Sequence, residues 1–302
     1  MATQSEMTVG PRLPAEKAKG SAVSADAELL AERQLIEANN LDEKRVARVR
    51  ALQQRFNISF AEAALAMGMV RRKEFLNALA KGFQYTVFGS PERQAGFSDE
   101  LVIGFEAFGE KAEEIRSIRT SLVSKLTSID TNSVAFVSPA SQLGSSYVCA
   151  NIALSFAQTG ARTLIVDANL RKPRLGQMFG LERNTAGLVE TVTSQTETLE
   201  NVAEVAPNLF VLPSGKAPPN PQELLSSIGF VRLVEVFSRD FALVFYDTTS
   251  TEHCADGLIV ARRAGSAVII ARRHQTSLKD IGALASSLRN QNCEIVGSIL
   301  NR

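Results

Sequence analysis

Two aspartates that each close an apolar run are the residues of this sequence best placed to do chemistry. Asp167 ends the run Leu-Ile-Val, and Asp247 ends the run Leu-Val-Phe-Tyr. A pair of carboxylates at strand ends can coordinate Mg²⁺ and orient a nucleophile. Either residue could instead be an ordinary strand end. The motifs that accompany the two aspartates favour a site role, whether active or vestigial.

A third segment, 138–148, has part of the pattern of a phosphate-binding loop. Such a loop follows a strand, uses glycines to turn backbone N–H groups toward phosphate, and ends in Gly-Lys-Ser/Thr where a helix begins. Gly144 and Ser146 occupy two of those positions, but Ser145 stands where the lysine belongs. Residues 139–143 contain no glycine. Taken alone, the segment fits an ordinary strand–turn–helix connection better.

Short β-rich runs alternate with helical stretches between residues 99 and 302. The runs are SVAFVS (133–138), RTLIVDA (162–168), LFVLPS (209–214), FALVFYD (241–247), SAVIIARR (266–273) and EIVGSILN (294–301). Near-continuous Val, Ile and Leu is typical of parallel strands that are covered on both faces. The pattern predicts an α/β fold, with a mostly parallel sheet, helices on both faces and a P-loop NTPase-like arrangement. Ligands bind at the carboxyl edge of such a sheet, where both aspartates would lie.

The sequence divides into three regions. Residues 1–40 are rich in Ala, Ser, Glu and Lys and contain no aromatic residue, which predicts a disordered tail. Residues 41–90 repeat apolar residues at spacings of three and four and predict a small helical module that ends in a linker. Residues 99–302 form the predicted α/β domain. We expect the helical module to dock a protein.

The overall composition excludes several classes of protein. Among 302 residues, 33 Lys and Arg balance 32 Asp and Glu, which gives a net charge of +1, whereas a dedicated DNA-binding protein usually has a strong basic excess. No apolar run approaches the roughly 20 residues that span a bilayer, and the N-terminus lacks the pattern of a secretory signal. We therefore expect a cytoplasmic protein with no nucleic-acid partner and no membrane span of its own.

Residues 99–302 resemble the bacterial tyrosine-kinase (BY-kinase) family of exopolysaccharide synthesis, in its chain-length-determinant branch. Three motifs carry the resemblance: SPASQLGSS (138–146) is similar to the Walker A loop, DANLR (167–171) to the Walker A′ strand end, and LVFYDTT (243–249) to Walker B. The family's ExxRxxR helix, which precedes Walker A, is complete as Glu113, Arg116 and Arg119. So many segments in the same order make chance similarity implausible.

The resemblance implies a setting and a role for each motif residue. It implies binding of ATP or ADP with Mg²⁺, a homo-oligomer, and attachment to the inner membrane through a membrane-embedded polysaccharide co-polymerase. The implied roles are catalytic for Asp167 and Asp247; nucleotide-binding for Gly144, Ser145, Ser146, Asn169 and Arg171; Mg²⁺-binding for Ser146, Asp167 and Asp247; and oligomer contact for Glu113, Arg116 and Arg119.

The chain departs from the family pattern at three positions of this site. Ser145 replaces the Walker A lysine, Asn169 replaces the second A′ aspartate, and Thr249 replaces the proline after Walker B. Loss of a charge-assisted hydrogen bond to phosphate costs about 1.5–3 kcal/mol, and more in the transition state, where charge builds up. The C-terminal tyrosine cluster of many relatives has no counterpart, since the tyrosines here are Tyr85, Tyr147 and Tyr246.

These departures predict a regulatory, pseudokinase-like member of the family that influences polymer length or output. Two alternatives stay open. One is an active tyrosine autokinase that uses Arg171 or Lys172 in place of the missing lysine. The other is a positioning ATPase of the ParA/MinD type, although those proteins have a lysine early in the loop and lack the ExxRxxR helix.

Overall fold

The structure of the protein, a computed structural model, describes most of the chain beyond residue 95 and part of the region before it. The described residues are 32–33, 35–37, 39–56, 60, 63–64, 67–70, 96–106, 109–183, 185–194 and 198–302. The predicted tail up to residue 31 and the predicted linker near residue 90 lie outside them.

A seven-stranded sheet, in the order β3-β4-β2-β5-β1-β6-β7, forms the centre of the large domain. Its strands are β1 (Ser133–Val137), β2 (Thr163–Asp167), β3 (Ala203–Ala206), β4 (Leu209–Leu212), β5 (Leu243–Asp247), β6 (Ser266–Arg272) and β7 (Glu294–Asn301). All neighbouring strands are parallel except β3 and β4. Six of the seven coincide with the β-rich runs of the sequence, so the predicted α/β fold is confirmed.

Helices connect the strands and cover the sheet on both faces. In the described part of the chain they are α1 (Glu43–Phe56), α2 (Val102–Phe105), α3 (Glu110–Ile129), α4 (Ser145–Ala157), α5 (Leu175–Met178), α6 (Leu188–Thr193), α7 (Pro221–Ser226), α8 (Ile228–Asp240), α9 (Asp256–Ala264) and α10 (Leu278–Asn290). Because successive strand side chains point to opposite faces, Phe245 packs into the core beneath α3 and α4, whereas Tyr246 packs into the core beneath α8, α9 and α10. Burial on both faces explains the continuous apolar runs.

The strand that the sequence did not predict, β3, lies at one edge of the sheet. It is only four residues long, pairs antiparallel with β4, and has a register shift between Glu204 and Ala206. A short, half-exposed edge strand does not need a continuous apolar run. Its sequence therefore lacks the signal that identified the other six.

The region before the sheet contains helix α1, which lies within the residues of the predicted helical module. A separate apolar cluster is centred on Leu35, Val49 and Phe60. Across the ranges that the structure describes, no helix combines the length and the apolarity needed to cross a membrane.

Candidate functional site

Asp167 and Asp247 lie side by side at the carboxyl edge of the sheet. Their strands, β2 and β5, are neighbours, and the two aspartates are partners in the register of the pair. Both side chains are fully buried. The juxtaposition predicted from two separate strand ends is therefore present, and it places two carboxylates where charge is costly.

The Asp247 carboxylate connects its strand to the start of helix α4. Ser145 Oγ donates a hydrogen bond to Asp247 Oδ1 at 3.2 Å, and Ser146 Oγ donates one to Oδ2 at 2.5 Å. Burial raises the pKa of Asp247 to about 6, although the two serine hydroxyls act to lower it. Both oxygens of this carboxylate thus have a partner within the protein.

The Asp167 carboxylate is only half satisfied. Its Oδ2 accepts hydrogen bonds from the backbone N–H groups of Arg174, at 3.0 Å, and Leu175, at 2.9 Å. Its Oδ1 is buried and has no hydrogen-bond partner among the residues that the structure describes. Burial, followed by the charge of Asp247, raises the pKa of Asp167 well above its usual value. A buried carboxylate oxygen without a partner is an atom that a proton or a cation would stabilise.

These oxygen atoms are of the type that Mg²⁺ prefers. Mg²⁺ is commonly held by one or two carboxylates together with waters and substrate phosphates. The Ser146 hydroxyl and the carboxylates of Asp167 and Asp247 could supply the protein's share. Within the described ranges no group of three or more His, Cys, Asp or Glu side chains could hold a metal ion by itself. Phosphates of a bound ligand and waters would complete the coordination of a Mg²⁺ ion here.

Gly144 ends the loop and precedes the first turn of α4. It has a positive φ of 89°, and a Cβ added there would lie 2.2 Å from Asn301 Nδ2. The same Nδ2 donates to the carbonyl of Leu143 at 3.0 Å, and Arg272 Nη1 donates to the carbonyl of Gln142 at 3.2 Å. The ends of β6 and β7 thus hold the loop through its carbonyl groups. The sequence did not identify Arg272 and Asn301 as site residues.

The other end of the loop is in contact with an acidic side chain of the protein itself. The backbone N–H of Ser141 donates to Glu252 Oε2 at 3.3 Å, and the Ser141 hydroxyl lies 3.5 Å from the same oxygen. In a phosphate-binding loop, N–H groups of this kind face the anion. Here Glu252 supplies an internal anion to one of them.

The two arginines beside the loop are both engaged in ion pairs. Arg171 binds Asp256 through two hydrogen bonds, Nε to Oδ2 at 2.7 Å and Nη2 to Oδ1 at 3.3 Å. Asp256 is almost fully buried at the start of α9. Arg174 binds both carboxylate oxygens of Glu100, each at 2.9 Å.

Two of the departures from the family pattern contact each other. The Thr249 hydroxyl donates to Asn169 Oδ1 at 2.9 Å, and the backbone N–H of Lys172 donates to the same oxygen at 3.1 Å. Asn169 therefore holds the turn after β2 and ties it to the segment after β5. An amide oxygen can do this without adding a third negative charge near Asp167 and Asp247.

A cavity of about 280 Å³ has all five predicted nucleotide-binding residues in its wall. Gly144, Ser145, Ser146, Asn169 and Arg171 all line it, together with Lys172 and Arg174. Asp167 and Asp247, both fully buried, do not belong to its wall. The volume is at the small end for a ligand pocket.

The ExxRxxR residues lie away from this cavity, on helix α3. Glu113 is exposed and forms an ion pair with Arg116. Arg119 instead faces α4, where its Nη1 donates to the Ser155 carbonyl at 2.8 Å and to the Ser155 hydroxyl at 3.0 Å. Ser155 is fully buried. The motif is therefore divided between an exposed end at Glu113 and an inward end at Arg119.

Comparison with known proteins identifies relatives over 191 residues of the chain. No family model matches the chain. It is 36% identical over 191 residues to the tyrosine-protein kinase ptk of Acinetobacter johnsonii, a match that covers 63% of this chain and 26% of that protein. It is 32% identical over 191 residues to the tyrosine-protein kinase YwqD of Bacillus subtilis strain 168, over 63% of this chain and 80% of that protein.

A solved structure supports the same relationship. The kinase domain of the Escherichia coli tyrosine kinase ETK matches this fold with a TM-score of 0.62 and 25% sequence identity, over 67% of this chain and 79% of that chain. The chain spans about a quarter of the length of relatives such as ptk, but most of the length of YwqD.

Proposed function

Since the chain belongs to the bacterial tyrosine-protein kinase family, we propose that it is a regulatory, pseudokinase-like member that does not transfer phosphate efficiently. The proposal rests on one observation. Ser145 occupies the position of the phosphate-binding lysine, and its hydroxyl binds Asp247. A neutral hydroxyl that is already committed to a carboxylate cannot neutralise the charge that develops during phosphoryl transfer.

The surroundings of Ser145 support this proposal. Arg171 and Arg174 are paired with Asp256 and Glu100. A paired arginine delivers less net positive charge to a ligand than an unpaired one, because its partner's field opposes its own. The cavity therefore provides a binding surface for phosphate but a weak electrostatic environment for its transfer.

The proposed setting is exopolysaccharide synthesis, where the chain would bind a membrane-embedded polysaccharide co-polymerase and influence polymer length or output. The exposed Glu113 end of the ExxRxxR motif supports assembly through α3. Size-exclusion chromatography with light scattering tests self-assembly, and a pull-down from detergent-solubilised membranes tests the partner. A Glu113→Ala variant that assembles and captures the partner as the parent chain does would contradict the role of α3.

Phosphotransfer is best tested by putting the missing lysine back. Three proteins are compared: the parent chain, Ser145→Lys and Asp247→Asn. Each is incubated with Mg·ATP and a tyrosine-containing copolymer as acceptor, and phosphotyrosine formation is measured. We expect the parent chain to match Asp247→Asn. We expect Ser145→Lys to bind Mg·ATP about ten- to a hundredfold more tightly, because it regains a charge-assisted hydrogen bond to phosphate.

The active autokinase remains a second candidate because the buried pair Asp167 and Asp247 is present. It makes the opposite prediction in the same experiment. Phosphotyrosine formed by the parent chain and abolished by Asp247→Asn would replace the pseudokinase proposal with this one. Membership of the tyrosine kinase family favours both candidates over a positioning ATPase.

A further inference from the structure

The positively charged side chains in the wall of the cavity are not equivalent. Arg171 and Arg174 each form a two-point ion pair with a carboxylate. Lys172 lies between them in sequence and lines the same cavity. Across the described residues, no carboxylate lies within ion-pair distance of its ammonium group. Its charge is therefore available to a ligand.

The backbone of Lys172 is fixed although its side chain is exposed. Its N–H donates to Asn169 Oδ1, which also accepts the Thr249 hydroxyl. The segments that follow β2 and β5 thus fix the position of the Lys172 backbone. Asn169 and Thr249 are the same residues that depart from the family pattern. The altered site therefore holds a lysine beside the cavity while it lacks one within the loop.

We propose that Lys172 is the phosphate-binding cation of this cavity and that it holds the phosphates of a nucleoside diphosphate or triphosphate in the ground state. The inference rests on the proposed function, because it takes the cavity as a nucleotide site that binds without efficient transfer. It assigns to Lys172 the electrostatic part of the role that Ser145 cannot perform.

Binding without catalysis follows from where the charge is attached. A lysine is a compact charge on a flexible four-carbon stem. An exposed stem lets the ammonium group follow the phosphates of a bound ligand, which adds affinity in the ground state. Catalysis needs interactions that are stronger in the transition state, from groups fixed in advance. Ser145, at the start of α4, occupies the fixed position and is neutral.

The test is a titration of the full chain with Mg·ADP, a ligand that cannot be turned over. Isothermal titration calorimetry at low ionic strength compares the parent chain with Lys172→Ala, Lys172→Arg and Lys279→Ala. Lys279 is an exposed lysine at the start of α10, outside the wall of the cavity, so its variant controls for the loss of one positive charge. Thermal melting of each variant checks that folding is unchanged.

We expect Lys172→Ala to weaken Mg·ADP binding about five- to tenfold, the range for one charge-assisted hydrogen bond at a partly exposed site. Lys172→Arg and Lys279→Ala should stay within about twofold of the parent chain, since each keeps the charge at the cavity. The salt dependence of binding should also become shallower in Lys172→Ala, because one screened charge pair is lost.

Three results would overturn the inference. They are equal affinity in Lys172→Ala and the parent chain, an equal loss in Lys279→Ala, and no binding of Mg·ADP by the parent chain at millimolar ligand. Pyrophosphate is titrated in parallel: if it binds as tightly as Mg·ADP and shows the same dependence on Lys172, the ligand is a phosphate chain rather than a nucleotide. Phosphotyrosine formation by the parent chain would reject the pseudokinase proposal and leave the role of Lys172 to be decided by the titration.

Discussion

The buried contacts beneath the wall of the cavity, which form its floor, differ from the exposed contacts at its edge, which form its rim. On the floor, Asp247 binds Ser146 and Asp256 binds Arg171, and both carboxylates are almost fully shielded from water. On the rim, Arg174 pairs with Glu100 and Ser141 with Glu252, and the side chains of Arg174, Glu100 and Glu252 are 51%, 39% and 42% exposed. Removing one partner of a floor contact destabilises the fold, whether or not a ligand is bound. Rim contacts contribute little to the stability of the fold.

The two aspartates, Asp167 and Asp247, are both buried and can therefore contribute to folding as well as to a site. A buried carboxylate that is hydrogen-bonded to the first turn of a helix can be required for folding. The presence of Asp247 is therefore weak evidence that phosphate is transferred. The exposed ion pairs of the rim contribute little to the free energy of folding. Their charges are better indicators of what the cavity binds.

The largest expected effect comes from removing a floor cation. Arg171→Ala leaves Asp256 buried without its partner, and breaking a buried ion pair from one side costs about 3–5 kcal/mol. Because the Arg171 side chain is 43% exposed, water can reach the vacated position, and we expect a smaller loss of about 2 kcal/mol. In a domain of this size the melting temperature should fall by about 4–8 °C.

Arg174→Ala is the matched control on the rim. Its ion pair with Glu100 has side chains that are 51% and 39% exposed, so the free energy of unfolding should change by less than about 0.5 kcal/mol. Urea denaturation of both variants measures the difference. Equal losses of stability in the two variants would remove the distinction between floor and rim.

We expect a smaller loss in the free energy of unfolding at the inward end of the ExxRxxR motif on α3. Arg119→Ala leaves the Ser155 carbonyl and hydroxyl without this donor, and we expect a loss of about 1 kcal/mol, the low end of the cost of unsatisfied buried groups. Glu113→Ala, at the exposed end of the same motif, should cost less than about 0.5 kcal/mol. Denaturation of both variants at concentrations where the chain is monomeric separates folding from assembly. An unchanged unfolding free energy in Arg119→Ala would restrict this arginine to contacts between subunits.

The sequence predicted the elements of the site better than the contacts within it. Strand ends are marked by local patterns, so Asp167 and Asp247 were placed together on the correct edge. The ion pairs were not predicted, because Asp256 is 85 residues from Arg171 and Glu100 is 74 residues from Arg174. Pairings over such separations depend on the order of strands in the sheet, which no local pattern specifies.

The same reason explains why the supports of the loop were missed. Asn301 and Arg272 reach the loop only because β6 lies beside β1 in the sheet order and β7 lies beside β6. Strand β3 was missed for a different reason, since a strand of four residues of which only Ala206 is buried does not produce an apolar run. Local sequence patterns thus predict which charged residues lie at the ends of strands. The topology decides which of those charges are left for a ligand.

The smallest expected effect lies on the rim, at the carboxylate that contacts the loop. Glu252→Gln removes a negative charge next to the Ser141 N–H while it keeps a side chain of similar size. A phosphate that approaches this N–H then meets less repulsion. Since the Glu252 side chain is 42% exposed, screening limits the gain in Mg·ADP affinity to about two- to threefold at low salt. Titration calorimetry measures it, with Glu235→Gln on the outer face of α8 as the control.

Combining Glu252→Gln with Lys172→Ala shows whether the two rim charges act separately. If each acts on the phosphates independently, the free-energy changes of the single variants should add within about 0.5 kcal/mol. A gain from Glu252→Gln that disappears in the absence of Lys172 would mean that the glutamate acts on the lysine rather than on the ligand. Tighter binding in Glu235→Gln would instead reduce the effect to net charge, because that residue lies outside the wall of the cavity.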